Sequence, residues 1–195
     1  MFSRDALYRS GTAPWDIGRP QAAIARITEE GRIRGRVLDV GCGTAEHTLL
    51  FAARGHEAWG VDLEPAAIER ARAKAEARSI DVTLRVHDAL DLAALGTTFD
   101  TIVDSGLFHT FADELRIRYA RSVASVLAAD GAFYLLCFSE HEPGDWGPRR
   151  IRRDAIETTF AEVGLGVVAI QAVAFERRRD DGDDAAGWLA EIRRR

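Results

Sequence analysis

The run Val37-Leu38-Asp39-Val40-Gly41-Cys42-Gly43-Thr44-Ala45 constrains this chain more than any other stretch. Apolar residues on both sides of Asp39 read as a strand buried on two faces. Two glycines, one residue apart, then turn the chain into a helical segment. A second strand-like run, 57–61, is closed by another acid, Asp62. Strand, glycine turn, helix and an acid after the next strand are the layout of a nucleotide-type pocket at the edge of a parallel sheet.

The rest of the chain continues the alternation. Strands are expected at 36–40, 57–61, 82–86, 99–104, 132–138, 166–175 and 188–192, and helices at 21–30, 45–54, 66–78, 113–128 and 152–162. The caps support these limits: Pro20 and Pro65 open helices, and Gly55 stops one. Alternating strands and helices imply an α/β architecture with a parallel sheet covered on both faces. The last two strands have no helix between them and should pair antiparallel. Residues 1–20 read as a polar, aromatic-bearing arm, with a short helix over 2–9 broken at Gly11-Thr12-Ala13-Pro14. A charged turn is expected at 177–184. The loop 139–150 is long, and long loops in compact domains often carry function.

Composition narrows the function classes. The 195 residues are 47% apolar and 29% charged, enough for one globular domain over 1–195. A net charge of −5 argues against a general nucleic-acid binder. The basic clusters at 149–153, 177–179 and 193–195 are short, lie near acids and read as solvated surface. The chain shows no secretory signal and no apolar run that would span a bilayer, so a cytoplasmic protein without membrane contact is expected. Cys42 and Cys137 lack metal-ligand or redox spacing and read as buried free thiols, with no metal expected. No exposed apolar stripe stands out to define an oligomeric state.

Three acids, Asp39, Asp62 and Asp88, fall at or just past strand ends, the edge where open α/β sheets bind ligands. Asp39 stands where strands that grip a dinucleotide are usually apolar, and a carboxylate there suits a cofactor with a cationic amino-acid group. Gly41 and Gly43 allow close backbone approach. Asp62 is placed to accept from ribose hydroxyls and Asp88 from an adenine amino group. Together they point to a nucleoside-bearing cofactor.

At this point residues 37–138 resemble the class I S-adenosylmethionine-dependent methyltransferases. Asp39-Val40-Gly41-Cys42-Gly43-Thr44 is similar to their glycine-rich first motif, Asp62 to their ribose-binding acid, and His87-Asp88-Ala89 to their adenine-side segment. Asp104-Ser105-Gly106 is similar to the end of strand four, which faces the transferable methyl. Ala45 departs from the family, which commonly has a third glycine there; the change is small. More narrowly, Pro14-Trp15-Asp16-Ile17-Gly18-Arg19-Pro20 resembles the N-terminal segment of the thiopurine, thiol and halide methyltransferase group. It also resembles bacterial enzymes that methylate small aromatic or quinone-like molecules. The resemblance implies a Rossmann-like, seven-stranded, mostly parallel sheet with an antiparallel C-terminal strand and helices on both faces. It also implies that residues 1–30 cover the cofactor, S-adenosyl-L-methionine. The cofactor contacts it implies are Trp15, Arg19, Asp39, Gly41, Cys42, Gly43, Asp62, Leu63, Asp88, Ala89 and Asp104. Trp15 would lie on the sulfonium region and Arg19 near the cofactor carboxylate or the substrate; alternatively Trp15 packs the arm down, with Arg19 exposed beside it.

Methyl transfer from a sulfonium carbon is an in-line displacement, so alignment and water exclusion are the main tasks. A thiolate or halide acceptor needs no base, whereas a phenol or amine is helped by one. His109 is the histidine nearest the expected methyl position. It reads as a general base, a substrate contact, or a histidine bonded to a neighbouring loop. His47 and His56 read as surface or helix-end residues, and His141 as part of the substrate mouth. Phe108, Phe111, Phe138 and Trp146 would wall an apolar acceptor pocket or belong to the core. The acceptor expected is a small apolar or aromatic thiol, halide, phenol or quinol. No Asn/Asp-Pro-Pro-Tyr/Phe segment, no Pro-Cys pair and no appended domain point to nucleic-acid or protein methylation. Two alternatives stand beside this: an NAD-type oxidoreductase, against which Glu46 in a glycine's place and Asp39 both argue, and a non-catalytic S-adenosylmethionine-binding protein.

Overall fold

The structure, a computed structural model, describes residues 4–178 and 184–195. The chain runs α1 (Arg4–Ser10), α2 (Ala22–Glu29), β1 (Arg36–Val40), α3 (Glu46–Ala53), β2 (Glu57–Asp62), α4 (Pro65–Ala77), β3 (Thr83–Val86), β4 (Phe99–Ser105), α5 (Asp113–Val126), β5 (Leu127–Phe138), α6 (Arg153–Ala161), β6 (Leu165–Phe175) and β7 (Ala185–Arg194). Short 3-10 turns at Ala89–Leu95 and Phe108–Thr110 lead out of β3 and β4.

Among the described residues the strands form one seven-stranded sheet in the order β3-β2-β1-β4-β5-β7-β6. Strands β1 to β5 pair in parallel, and β7 lies antiparallel between β5 and β6. The order reverses direction between β1 and β4, which opens a crevice at their carboxyl ends. Residues Val37 to Val40 are all buried because β1 is flanked on both edges and covered on both faces. One face carries Ile102, Tyr119, Phe133 and Phe160 under α5 and α6. The other carries Ile24, Ile27, Phe51 and Tyr134 under α2 and α3, with Leu49, Ile68 and Leu84 packed under α4.

Two elements, α5 with the strand that follows it and β7, differ by most from the sequence expectation. Helix α5 stops at Val126, and the chain turns extended at Leu127 instead of continuing to 128. Leu127 pairs with Phe99 before a register shift at Thr101 and is buried, so ladder pairing overrides helical propensity. Arg194 donates to Ala124 O and Leu127 O at 2.6 and 2.7 Å, which satisfies carbonyls at the helix end. Strand β7 is longer than the expected 188–192 because it has partners on both edges. Of the expected turn at 177–184, residues 179–183 lie outside the described residues, as does Phe2 at the start of the expected first helix. No helix among the described residues is long and apolar enough to cross a membrane.

Candidate active site

The crevice is built on the turn that follows β1. Asp39 is buried within the sheet, and its Oδ2 accepts from Thr48 N at 3.1 Å and Thr48 Oγ1 at 2.7 Å. It therefore fastens α3 to β1 through one of its two oxygens. Burial pushes its carboxyl up to about 7 despite the two Thr48 bonds. The Cys42 side chain also turns inward, into the cluster of Ala45, Leu49 and Ile68, and leaves only its backbone on the turn. Ala45 sits left-handed at φ 68°, which explains the glycine common at that position. Its methyl is wholly buried, which offsets part of that strain. Glu46 is buried on Lys74 at 2.7 Å and Arg78 at 3.0 Å of α4, so its charge ties two helices together.

Asp62 closes the turn. Its Oδ2 accepts from Gly43 N and its Oδ1 from Glu64 N, both at 2.9 Å. Burial raises its pKa, while the backbone bonds hold it down. A carboxylate has about four acceptor positions, so capacity remains for ribose hydroxyls. Leu63 beside it is 62% exposed, an apolar surface at the rim of the crevice. Asp88 is exposed and uses Oδ1 to cap the following turn at Leu90 N, 2.9 Å; Ala89 behind it is buried.

At the end of β4 three residues of the expected site are held by partners within the protein. Both oxygens of Asp104 are engaged inside the protein, by Leu107 N at 2.8 Å, Phe108 N at 3.0 Å and Tyr119 Oη at 2.7 Å. It shapes the loop after β4 and ties it to α5. Phe108 is fully buried against Tyr119 and Phe160 and belongs to the core, not to a substrate wall. His109 is buried too, and its Nδ1 accepts from Phe138 N at 3.0 Å. That bond fixes the neutral ring's proton on Nε2 and occupies its lone pair. Burial pushes the ring down to about 3, and the guanidiniums of Arg4, Arg116 and Arg150 add to the effect. In this arrangement the ring serves β5 as a hydrogen-bond acceptor.

Around His109 stand Phe138 and Phe175, with ring centroids 4.8 and 5.6 Å away. Trp146 packs edge-on against Phe138 at 5.3 Å, and the Arg177 guanidinium lies 3.8 Å from its ring centre. Arg150 organises the loop that carries Trp146 by donating to the carbonyls of Glu142, Pro143, Trp146 and Pro148. His141 lies against Trp188. This side of the crevice is thus aromatic and rimmed by cations.

The arm closes over both halves. Trp15 donates from Nε1 to Tyr8 Oη at 2.8 Å, and Tyr8 lies above the turn. A Cβ on Gly43 would come within 3.0 Å of that hydroxyl. Asp16 Oδ1 accepts from Thr44 Oγ1 at 3.0 Å. Arg19 pairs with Glu176 at 2.7 Å, a protein carboxylate and not a cofactor's. Gln21 brackets the backbone of Glu176 with its side-chain amide, at 2.7 and 2.8 Å. His47, expected at the surface or at a helix end, stands in the first turn of α3, half-buried, and accepts from Gln21 N at 3.0 Å. Sequence reasoning missed Tyr8, since a helix of seven residues carries too little periodicity to show which face it presents, and Glu176, whose partners Arg19 and Gln21 lie some 155 residues away in the chain.

Comparison with known proteins decides the family. Residues 37–131 match the family described as a methyltransferase domain. A solved structure from a study of the conversion of a disulfide bond into a thioacetal group during echinomycin biosynthesis is 34% identical. It superimposes with a TM-score of 0.87 over 97% of this chain and 91% of that one. The 2-heptyl-1-hydroxyquinolin-4(1H)-one methyltransferase of Mycobacteroides abscessus is 43% identical over 63% of this chain. The chain belongs to the class I S-adenosylmethionine-dependent methyltransferases. Its cofactor is S-adenosylmethionine. The match to the Mycobacteroides abscessus methyltransferase spans 54% of that enzyme's length. A probable thiol methyltransferase of Arabidopsis thaliana is 25% identical over 84% of this chain and 73% of its own length. At the glycine turn Gly41 N, Cys42 N, Gly43 N and Ala45 N are all engaged within the protein.

Proposed function

We propose that this methyltransferase acts on a small aromatic or thiol acceptor that reaches the site already ionised. Bound S-adenosylmethionine would supply an electrophilic methyl on a sulfonium. Asp62 would hold the ribose hydroxyls, and Leu63, Asp88 and Ala89 would frame the adenine. Gly41 and Gly43 would let it approach the turn, and Trp15 would cover it. The aromatic side chains of Phe138, Phe175 and Trp146 would orient a flat acceptor and exclude water.

The observation that carries the acceptor class is the state of His109, whose lone pair is held by Phe138 N. An acceptor that had to lose a proton at the site would find no base in this ring. One that arrives as a thiolate, a phenolate or the anion of an N-hydroxy heteroaromatic needs none. The guanidiniums of Arg150 and Arg177 beside Trp146 favour such an anion. The names of the two relatives, a hydroxyquinolone and a thiol methyltransferase, fit acidic acceptors.

An acceptor panel tests this, with product read by mass spectrometry. It contains thiophenols, N-hydroxyquinolones, phenols of graded acidity, iodide, and neutral amines and alcohols. Turnover is expected for the acidic members, with kcat/KM rising with pH up to each acceptor's own pKa. Equal turnover of neutral amines or alcohols would overturn the proposal.

A further inference from the structure

The segment between β5 and α6 has to keep its shape without regular structure, since residues 140–150 form neither helix nor strand. Two glutamates fasten its base. Glu140 accepts from Trp188 Nε1 at 2.6 Å and from Arg153 N at 3.3 Å. Glu142 is buried and accepts from Ala186 N of β7 at 2.7 Å. Beyond them, carbonyls without ladder partners need donors of another kind. Arg150 supplies these donors. Its Nε donates to Glu142 O at 3.3 Å, one Nη to Trp146 O and to Pro148 O, the latter at 2.9 Å, and the other Nη to Pro143 O at 2.9 Å. A planar guanidinium carries five N–H donors in a fixed fork, which lets one side chain gather several carbonyls at once.

The backbone on either side of Trp146 is bent to the same end. Gly144 and Gly147 both stand left-handed, at φ 73° and 71°. A Cβ on Gly144 would come within 3.3 Å of Trp146 Cδ1. Trp146 is the one large apolar side chain between positions 140 and 149. It stays half-buried, edge-on to Phe138. Phe138 in turn meets Phe175, with ring centroids 5.0 Å apart. Phe175 lies over Gly106, where a Cβ would come within 2.9 Å of Phe175 Cζ. Gly106 directly follows β4. The loop thus presents one indole at the outer end of an aromatic row that begins where β4 ends.

We propose that Arg150 is a positioning residue for acceptor binding: by gathering these carbonyls it keeps Trp146 in place as the outer wall on which a flat acceptor ring packs. The proposal rests on the aromatic side of the crevice being the acceptor site. Lysine at this position keeps the charge and loses the fork, so Arg150→Lys removes the positioning and leaves a cation.

Methylation of thiophenol, read by mass spectrometry, is compared in wild type, Arg150→Lys, Trp146→Leu and the double variant, after thermal melts of each. Arg150→Lys should raise KM for thiophenol about fivefold or more, the size of a lost aromatic packing contact. Its kcat should stay within about threefold, because the wall serves binding and not the displacement. Trp146→Leu should act alike, and the double variant should be no worse than the poorer single one, since both changes remove the same wall. Gly144→Ala, at an exposed position, strains the turn that presents Trp146 and should also raise KM, which keeps the test open if Arg150→Lys melts early. A KM unchanged in Arg150→Lys and Gly144→Ala while Trp146→Leu raises it overturns the proposal. Losses that multiply in the double variant also overturn it, since Arg150 would then act on the acceptor itself. So does an equal loss of S-adenosylmethionine affinity by calorimetry, the mark of a general disturbance. A wild type that binds S-adenosylmethionine and methylates no thiophenol overturns the acceptor-site reading and the positioning role together, which separates that failure from the others.

Discussion

A neutral imidazole has one lone pair, and in His109 the backbone of Phe138 holds it. Asparagine places a carbonyl oxygen near the position of Nδ1 and can accept the same bond. His109→Asn should therefore keep its rate on an ionised acceptor within about threefold, where loss of a general base lowers rates by about 10²–10⁴. The same substitution changes the response to acid. The folded pKa of about 3 lies below the ordinary 6.5, so the folded protein binds the proton less tightly than the unfolded chain. Stability from this group is complete above pH 6.5 and declines as pH falls from there toward 3. At pH 5 the loss amounts to about 2 kcal/mol. Asp39 and Asp104, both pushed up to about 7, pull the opposite way over part of that range. The difference between wild type and His109→Asn cancels their effect. The melting temperature of the variant should drop less than that of wild type between pH 7 and pH 5; equal drops would show that His109 titrates normally.

Among the elements, the contact of α3 with β2 fixes where the turn sits. It depends on the absence of a side chain at Gly60. A Cβ there would meet Thr48 Oγ1 at 2.7 Å, Leu84 Cδ2 at 2.9 Å and Cys42 Sγ at 3.0 Å. Thr48 is also the residue that Asp39 holds, so the helix cannot retreat without breaking two bonds. Gly60→Ala should destabilise the fold by about 2 kcal/mol through overpacking, read by denaturant unfolding. It should also weaken cofactor binding, because the turn moves with α3. The strand and helix types were legible in sequence here, since β1 and β2 follow the pattern of buried parallel strands. The identity of Gly60 as a packing residue was not, because its neighbours come from α3, β3 and the turn.

For the whole molecule, the arm joins the two halves of the crevice. At one end Asp16 bonds Thr44 on the cofactor side. At the other, Glu176 takes Arg19 at 2.7 Å and Ala22 N at 2.6 Å, next to the residues that carry Phe175 and Arg177 to the acceptor side. Arg178 N donates to Pro14 O at 2.7 Å and extends the seam. Glu176→Ala removes the side-chain part of it. The expected result is a loss of about 1–2 kcal/mol, mostly from the bond to Ala22 N, since Arg19 is largely exposed. Proteolytic cleavage within residues 10–20 should quicken. An unchanged cleavage rate would show that the arm is held without Glu176.

The sequence by itself determined the order of strands and helices through β5, the glycine turn and the acids after it. These depend on periodicity and turn chemistry, which act over a few residues. Tertiary structure alone decided what each carboxylate does. Asp39, Asp62 and Asp104 look alike at strand ends, yet Asp39 turns to Thr48 and Asp104 to Tyr119, while Asp62 faces the turn. It likewise decided that Phe108 enters the core, that His109 accepts a bond from β5, and that α1 sets Tyr8 over the turn. The physical reason is that a buried polar group takes the nearest donor that folding brings to it. Several of the donors and acceptors that matter here lie far away in the chain.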